Sequence, residues 1–280
     1  MSTVAARAAR PSPLRGPTLP RVVAAEWGKL TSLRSTTAIA ATTVVVSGGL
    51  TYLAANASST DPGFEPIGSL GTGLPLAQIG VLVLGVLVGT GEFSTGTFRS
   101  TFTAVPRRLP VLAAQAAVTT VLALVISVLA VAASVLGLLP AAGSRDLTLD
   151  LTADGTPQVL AGMVLFLVGM ALVGLAAGAL LRRPVAAVTA AVGLVLVLPV
   201  ALLLAGEGGD PMAAPVPGQV DAAATVVTFL PGGAGMLLVP QGGIDGAPDL
   251  GVGGGALVLA AWILVPLAVA GFRLRTRDLT

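Results

Sequence analysis

Cysteine and histidine are both absent from the 280 residues, and only 10% of the chain is charged. Without cysteine there is no disulfide framework, no thiolate metal site and no thiol nucleophile. Without histidine the commonest general base and metal ligand is also gone. A soluble domain carries roughly a quarter charged residues, because it must solvate an outer surface. At 54% hydrophobic residues and a mean hydropathy of +0.94, most of this chain's surface is solvated by lipid instead. The only lysine, Lys29, is not preceded by the G-x-x-x-x-G-K frame of a phosphate-binding loop, so the chain does not bind ATP in that way. A pI of 9.9 would suit a nucleic-acid partner, but the net charge is only +2. The placement of the charges accounts for the basicity better, and nucleic acid is not expected as a partner.

A hydrocarbon core about 30 Å thick takes roughly 20 apolar helical residues to cross. Seven charge-free runs are long enough to consider: 35–60, 66–91, 109–144, 155–181, 184–206, 222–244 and 250–272. Six read as continuous helices, with spans at about 36–56, 70–90, 110–139, 159–181, 184–205 and 251–272. The run 222–244 is broken at its centre by Pro231-Gly232-Gly233-Ala234-Gly235. Proline removes a backbone donor there and the glycines weaken what remains. Such a piece is expected to be re-entrant or interfacial, with protein rather than lipid covering its backbone.

Charge placement decides between six crossings and seven. Lys and Arg concentrate in cytoplasmic loops, whereas acidic residues contribute little to orientation. Six crossings with both termini inside place 14 of the 15 basic residues in the cytoplasm and leave only Arg145 outside. The same arrangement puts 10 of the 13 acidic residues outside. A seventh crossing would carry Arg273, Arg275 and Arg277 outward and bring Asp245 and Asp249 in. The expected fold is therefore an all-α polytopic membrane protein of six transmembrane helices, N-in and C-in, in the plasma membrane.

A cleaved leader is disfavoured, because the apolar stretch before Ala55-Asn56-Ala57 exceeds the length of an ordinary h-region. The match of Asn56-Ala57-Ser58 to a glycosylation sequon reads as chance. Residues 1–20 hold four prolines and three arginines without apolar periodicity, the composition of a disordered tail. In 21–35 a helical wheel puts Val23, Trp27 and Leu30 on one face, with Leu33 at its edge and Arg21, Lys29 and Ser32 opposite. A basic stretch anchored by tryptophan ahead of a span is expected to lie as a helix in the cytoplasmic leaflet. In the loop 91–109, Phe98, Phe102 and Val105 recur at i, i+4 and i+7, giving a short transverse helix one apolar face. Pro106 ends it and Arg107-Arg108 mark the return to the membrane.

Two further features carry less. Gly85-x-x-x-Gly89 and Gly174-x-x-x-Gly178 permit close helix approach, but among 36 glycines the spacing does not assign an interface. Asp146, Asp150 and Asp154 read as solvated loop carboxylates rather than as a metal site. No ionisable residue falls in the middle of a span, which disfavours a proton- or ion-coupled transporter. A membrane enzyme lacks the nucleophile–base set or metal site it would require. No cofactor is expected.

Three segments resemble a known family. Ala25-Glu26-Trp27-Gly28-Lys29-Leu30-Thr31-Ser32-Leu33-Arg34-Ser35-Thr36 is similar to the opening of actinobacterial ABC-transporter permeases of the type-2 exporter family. Gly91-Glu92-Phe93-Ser94-Thr95-Gly96-Thr97-Phe98-Arg99, continuing to Ala104-Val105-Pro106-Arg107-Arg108, resembles that family's loop after the second span. Phe229-Leu230-Pro231 followed by glycines is similar to its stretch before the last span. The resemblance implies a permease working as a homo- or heterodimer with an ATP-binding cassette subunit supplied in trans. It also implies no catalytic site in the chain itself. On the same resemblance Val23, Glu26, Trp27, Leu30 and Arg34 belong to an interfacial connecting helix. Glu92, Phe98, Arg99, Phe102 and Val105 belong to the loop that couples to the ATPase. Glu92 is the only acidic residue of that loop; it reads either as a solvated carboxylate or as the partner of Arg99 or the Arg182-Arg183 hairpin. A non-transporting scaffold or sensor is the alternative of a different class, and a secondary transporter is the third.

Overall fold

A computed structural model of the chain describes residues 18–94, 109–153, 155–206, 221–240 and 242–276, with the side chains of 92–94 and 274–276 left out. Every regular element among the described residues is helical. Apolar sequence in lipid leaves no other economical choice, since an α-helix satisfies its backbone polar groups within the segment. The first helix, α1, covers Leu19–Ser32 and stops at Leu33, whose backbone is extended; α2 then runs Arg34–Ser58. A 3-10 stretch, Pro66–Gly73, leads into α3, Leu74–Ser94. The longest helix is α4, Leu109–Gly143, followed by α5, Thr156–Leu181.

The fifth apolar helix is interrupted. It begins as α6, Pro184–Val192, widens into a π turn over Gly193–Val197, and resumes as α7, Leu198–Gly206. In the π turn the Gly193 carbonyl accepts from the Leu198 N–H, five residues on. The cause lies at Pro199, which has no N–H for the Val195 carbonyl and whose ring would collide with that carbonyl in a regular helix. A widened turn relieves the collision. Two short helices follow, α8 (Ala222–Phe229) and α9 (Pro231–Met236), before the last long one, α10 (Gly251–Thr276).

Six of these segments are long and apolar enough to cross a membrane: Arg34–Ser58, Pro66–Gly91, Leu109–Gly143, Thr156–Leu181, Pro184–Ala205 and Gly251–Arg273. They are not equally enclosed. In α5, 67% of the apolar window is buried, against 17% in the α6–α7 helix. Packing against α3, α4, α6, α9 and α10 makes α5 the axis of the bundle, and α2 lies against α4 on the far side. Phe166, Met163, Leu167, Met170 and Leu175 of α5 are fully enclosed. On the outward faces Val45, Val185 and Leu257 are exposed, a dressing suited to lipid.

Association inside a bilayer gains little from the hydrophobic effect, because lipid tails are as apolar as leucine; close packing must supply it instead. The two Gly-x-x-x-Gly pairs provide that packing, and they meet each other. A Cβ at Gly85 would overlap the Ala171 carbonyl oxygen, and one at Gly174 would overlap that of Leu82. At Gly89 it would come within 2.5 Å of the Leu175 oxygen, and at Gly178 within 2.6 Å of the Val86 oxygen. The α3–α5 seam is thus backbone against backbone over two turns.

At one end of the bundle Arg145, just past α4, donates through Nε to the Ser59 carbonyl and through a terminal nitrogen to that of Asp61, at 2.8 Å. The one basic residue that the charge count left apart from the others straps α4 to the loop after α2. At the other end, α5 closes on Arg182 in a left-handed conformation, its N–H bonded to the Gly178 carbonyl. Arg183 is extended ahead of Pro184, so the hairpin turns within two residues.

Candidate functional site

The amphipathic segment expected before the first span forms α1, but its inner face differs from the wheel. Val22, Glu26 and Leu30 are buried, Val23 is half-buried, and Trp27 is 40% exposed. Centring the apolar arc on Val23 and Trp27 assumes that lipid is the only apolar neighbour. In fact α1 docks along α4, which turns the helix by about one residue and leaves Trp27 on the outward face. Val22 joins Val111 and Ala114 of α4 in a small buried cluster. Leu30 belongs to another, with Val88 of α3, Val118 of α4 and Leu175 of α5. Glu26 turns inward because Lys29, three residues on, neutralises it across 2.7 Å with its own head half in solvent. Arg34, grouped with α1 from the sequence, opens α2 instead and is exposed.

These clusters join the last turns of α3 to the first turns of α4, the two ends of the loop 95–108. The residues expected to couple through that loop, Phe98, Arg99, Phe102 and Val105, lie outside the described residues. So does the side chain of Glu92, whose backbone lies in the last turn of α3.

A second locus lies at the break between α8 and α9. Leu230 is extended, as a residue ahead of proline must be, and Pro231-Gly232-Gly233-Ala234-Gly235 are all buried. The two ends of the piece are held together, the Asp221 N–H donating to the Gly246 carbonyl at 2.8 Å, while the Asp221 carboxylate caps α8 through the Ala223 N–H. Between those ends the chain reaches residues from the centres of the long helices. The carbonyl of Phe229, freed by the break, accepts from the Trp262 indole at 2.8 Å. A Cβ at Gly235 would press the Phe166 ring, and one at Gly255 would lie 2.6 Å from the Ala234 oxygen. The α9 backbone is therefore covered by α5 and α10, which is what a proline- and glycine-broken stretch requires away from water. The break is legible in the sequence; that glycines on neighbouring helices make room for it is not.

Beside the outer turn of this piece a cavity of about 430 Å³ is lined by Thr228, Leu237, Asp245, Asp249 and Gly251, among others. Asp249 is engaged in capping α10 through the Gly251 N–H. Among the described residues no group of His, Asp or Glu is placed to hold a metal ion. In the loop between α4 and α5, Asp150 accepts from both the Thr152 hydroxyl, at 2.7 Å, and the Thr152 N–H. Those bonds hold its carboxyl below the usual carboxylate range.

Six long apolar helices, one of them the buried axis of the bundle, define a multi-pass membrane protein. No family model matches the chain, and no curated protein does either.

Proposed function

We propose that the chain is the membrane-spanning permease subunit of an ATP-driven ABC exporter, in the plasma membrane with both termini in the cytoplasm. The observation that carries this reading is the docking of α1 through Val22 and Leu30 onto the helix ends flanking the loop 95–108. An ATP-binding subunit pressing on that loop would move α3 and α4, and α1 would travel with them as one body. Such a lever is needed when the driving reaction occurs on another polypeptide, and a stand-alone enzyme has no use for it. Charge placement and the loop's resemblance to exporter permeases support the same reading. The permease would act as a homo- or heterodimer and contribute no covalent chemistry. The piece 222–244 would be a re-entrant hairpin, since its ends meet while its centre touches mid-helix residues.

Purification in mild detergent from the native membrane, followed by mass spectrometry of associated subunits, tests the reading. Recovery of an ATPase bearing a phosphate-binding loop is expected. Phe98→Ala with Phe102→Ala should reduce its recovery about tenfold while leaving insertion intact, as loss of apolar anchors worth at least 1.4 kcal/mol would. Glu92→Gln should keep the ATPase bound yet uncouple hydrolysis from transport. Recovery of the protein alone, with no ATP-dependent transport, would favour a scaffold or sensor.

A further inference from the structure

Gln78 stands near the centre of the apolar segment Pro66–Gly91 and is 6% exposed. Its side-chain N–H donates to the Pro75 carbonyl at 3.0 Å, which fixes the amide's orientation and sends Oε1 the other way. That oxygen is buried and has no hydrogen-bond partner. It faces Gly232, in the break between α8 and α9, where a Cβ would lie 3.9 Å away. The backbone oxygen of Val195 faces the same point, 3.3 Å from that Cβ position. Val195 sits in the π turn near the centre of Pro184–Ala205, and its carbonyl has two lone pairs, of which a helix bond uses only one. Two acceptor oxygens from different helices thus converge on the one residue whose lack of a side chain leaves room between them.

An acceptor without a donor is costly away from water, and the Gln78 oxygen is one, with a second carbonyl oxygen turned to the same space. No carboxylate lies in the middle of any long apolar segment, so a full positive charge would be uncompensated there. We propose that Gln78 Oε1 and the Val195 carbonyl form a binding site for a neutral hydrogen-bond donor, an O–H or amide N–H, seated against Gly232 at the heart of the bundle. The donor is either a resident water or a polar group on an otherwise apolar molecule held between the helices. The site exists independently of whether the chain serves an exporter.

Two arms test it on the full-length protein in lipid vesicles. In the first, isotope-edited infrared spectra of side-chain ¹³C-glutamine protein are differenced against Gln78→Leu to isolate the Gln78 carbonyl band. A hydrogen-bonded Gln78 band in vesicles with no added molecule, unaccompanied by selective labelling in the second arm, identifies water. Gly232→Ala, which fills the space with a methyl and leaves Gln78 in place, should move the band to the frequency of a free carbonyl. In the second, a diazirine-bearing eight-carbon alcohol and its hydrocarbon analogue are photolysed with the protein and the labelled residues mapped. Labelling around Val195 and Gly232 by the alcohol only, falling at least fivefold in both variants, identifies a donor on an apolar molecule. A free-carbonyl band in the unsubstituted protein, together with equal labelling by the two probes, would overturn the site. So would a band unchanged by Gly232→Ala, since it would place the donor elsewhere.

Discussion

The bundle has two tightly packed helix pairs, and they are built differently. Between α3 and α5 the contact is bare: Gly85, Gly89, Gly174 and Gly178 lay backbone on backbone, and the polar atoms present are main-chain ones. Between α2 and α4 the approach is slightly looser and carries a side-chain bond. A Cβ at Gly48 would lie 2.8 Å from the Ala133 oxygen and one at Gly137 would lie 2.6 Å from the Gly48 oxygen. Beside them Ser47 and Ser134, both fully buried, share a hydrogen bond of 2.9 Å. The first seam has only shape to lose, whereas the second divides its stability between shape and one polar pair.

That difference orders the expected effects. Gly85→Leu or Gly174→Leu should be the most damaging, because even a methyl overlaps a carbonyl and the opposing backbone cannot yield. A loss above about 4 kcal/mol is expected, seen as absence of a monodisperse peak in detergent while membrane insertion persists. Recovery of normally folded Gly85→Leu would show that the seam is not held by backbone contact. Gly137→Ala should cost less, about 1–3 kcal/mol of overpacking, read as a lowered midpoint of unfolding in mixed micelles. Trp262→Phe keeps an aromatic side chain, smaller by the pyrrole ring, and removes the donor from the Phe229 carbonyl, which should cost about 1 kcal/mol for the lost bond and loosen α8 in hydrogen exchange. The Ser47–Ser134 pair comes next: a double-mutant cycle to alanine should return a coupling of about 0.6 kcal/mol. A value near zero would reduce the second seam to shape as well.

The smallest effect belongs to the solvated counterpart of that serine pair, the Thr152 hydroxyl on Asp150. The Asp150 pKa is lowered on folding, so any stability it lends is present above the ordinary carboxylate value and lost as pH falls through the folded one. Thr152→Ala should raise that pKa in an NMR titration and leave both seams untouched, because the carboxylate stands in water.

Much of this was readable from residue order. Length and apolarity announce six long helices, since a bilayer imposes one element type and a minimum length. Pro231 and its glycines announce a break for the same reason that proline breaks any helix. Less legible is whatever depends on a partner surface. The wheel of α1 points to Trp27, yet Val22 and Glu26 are the buried residues, because α4 rather than lipid sets that face. The spacing of Gly85 and Gly174 permits close approach, but among 36 glycines it does not say which helices meet there. Pro199 lies openly in the sequence and the π turn follows from it locally, but the approach of the Val195 oxygen and Gln78 to Gly232 depends on three segments meeting.

The bare seam between α3 and α5 also has an entropic side. A leucine buried at a helix contact gives up about 0.5–1 kcal/mol of rotamer freedom, whereas glycine has no rotamer to surrender. Four glycines at one contact therefore bring two helices together with almost no side-chain ordering. The term that grows with temperature and pulls packed helices apart is small along this line. Warming should loosen contacts made by larger side chains before it parts α3 from α5, leaving that pair as the last to separate.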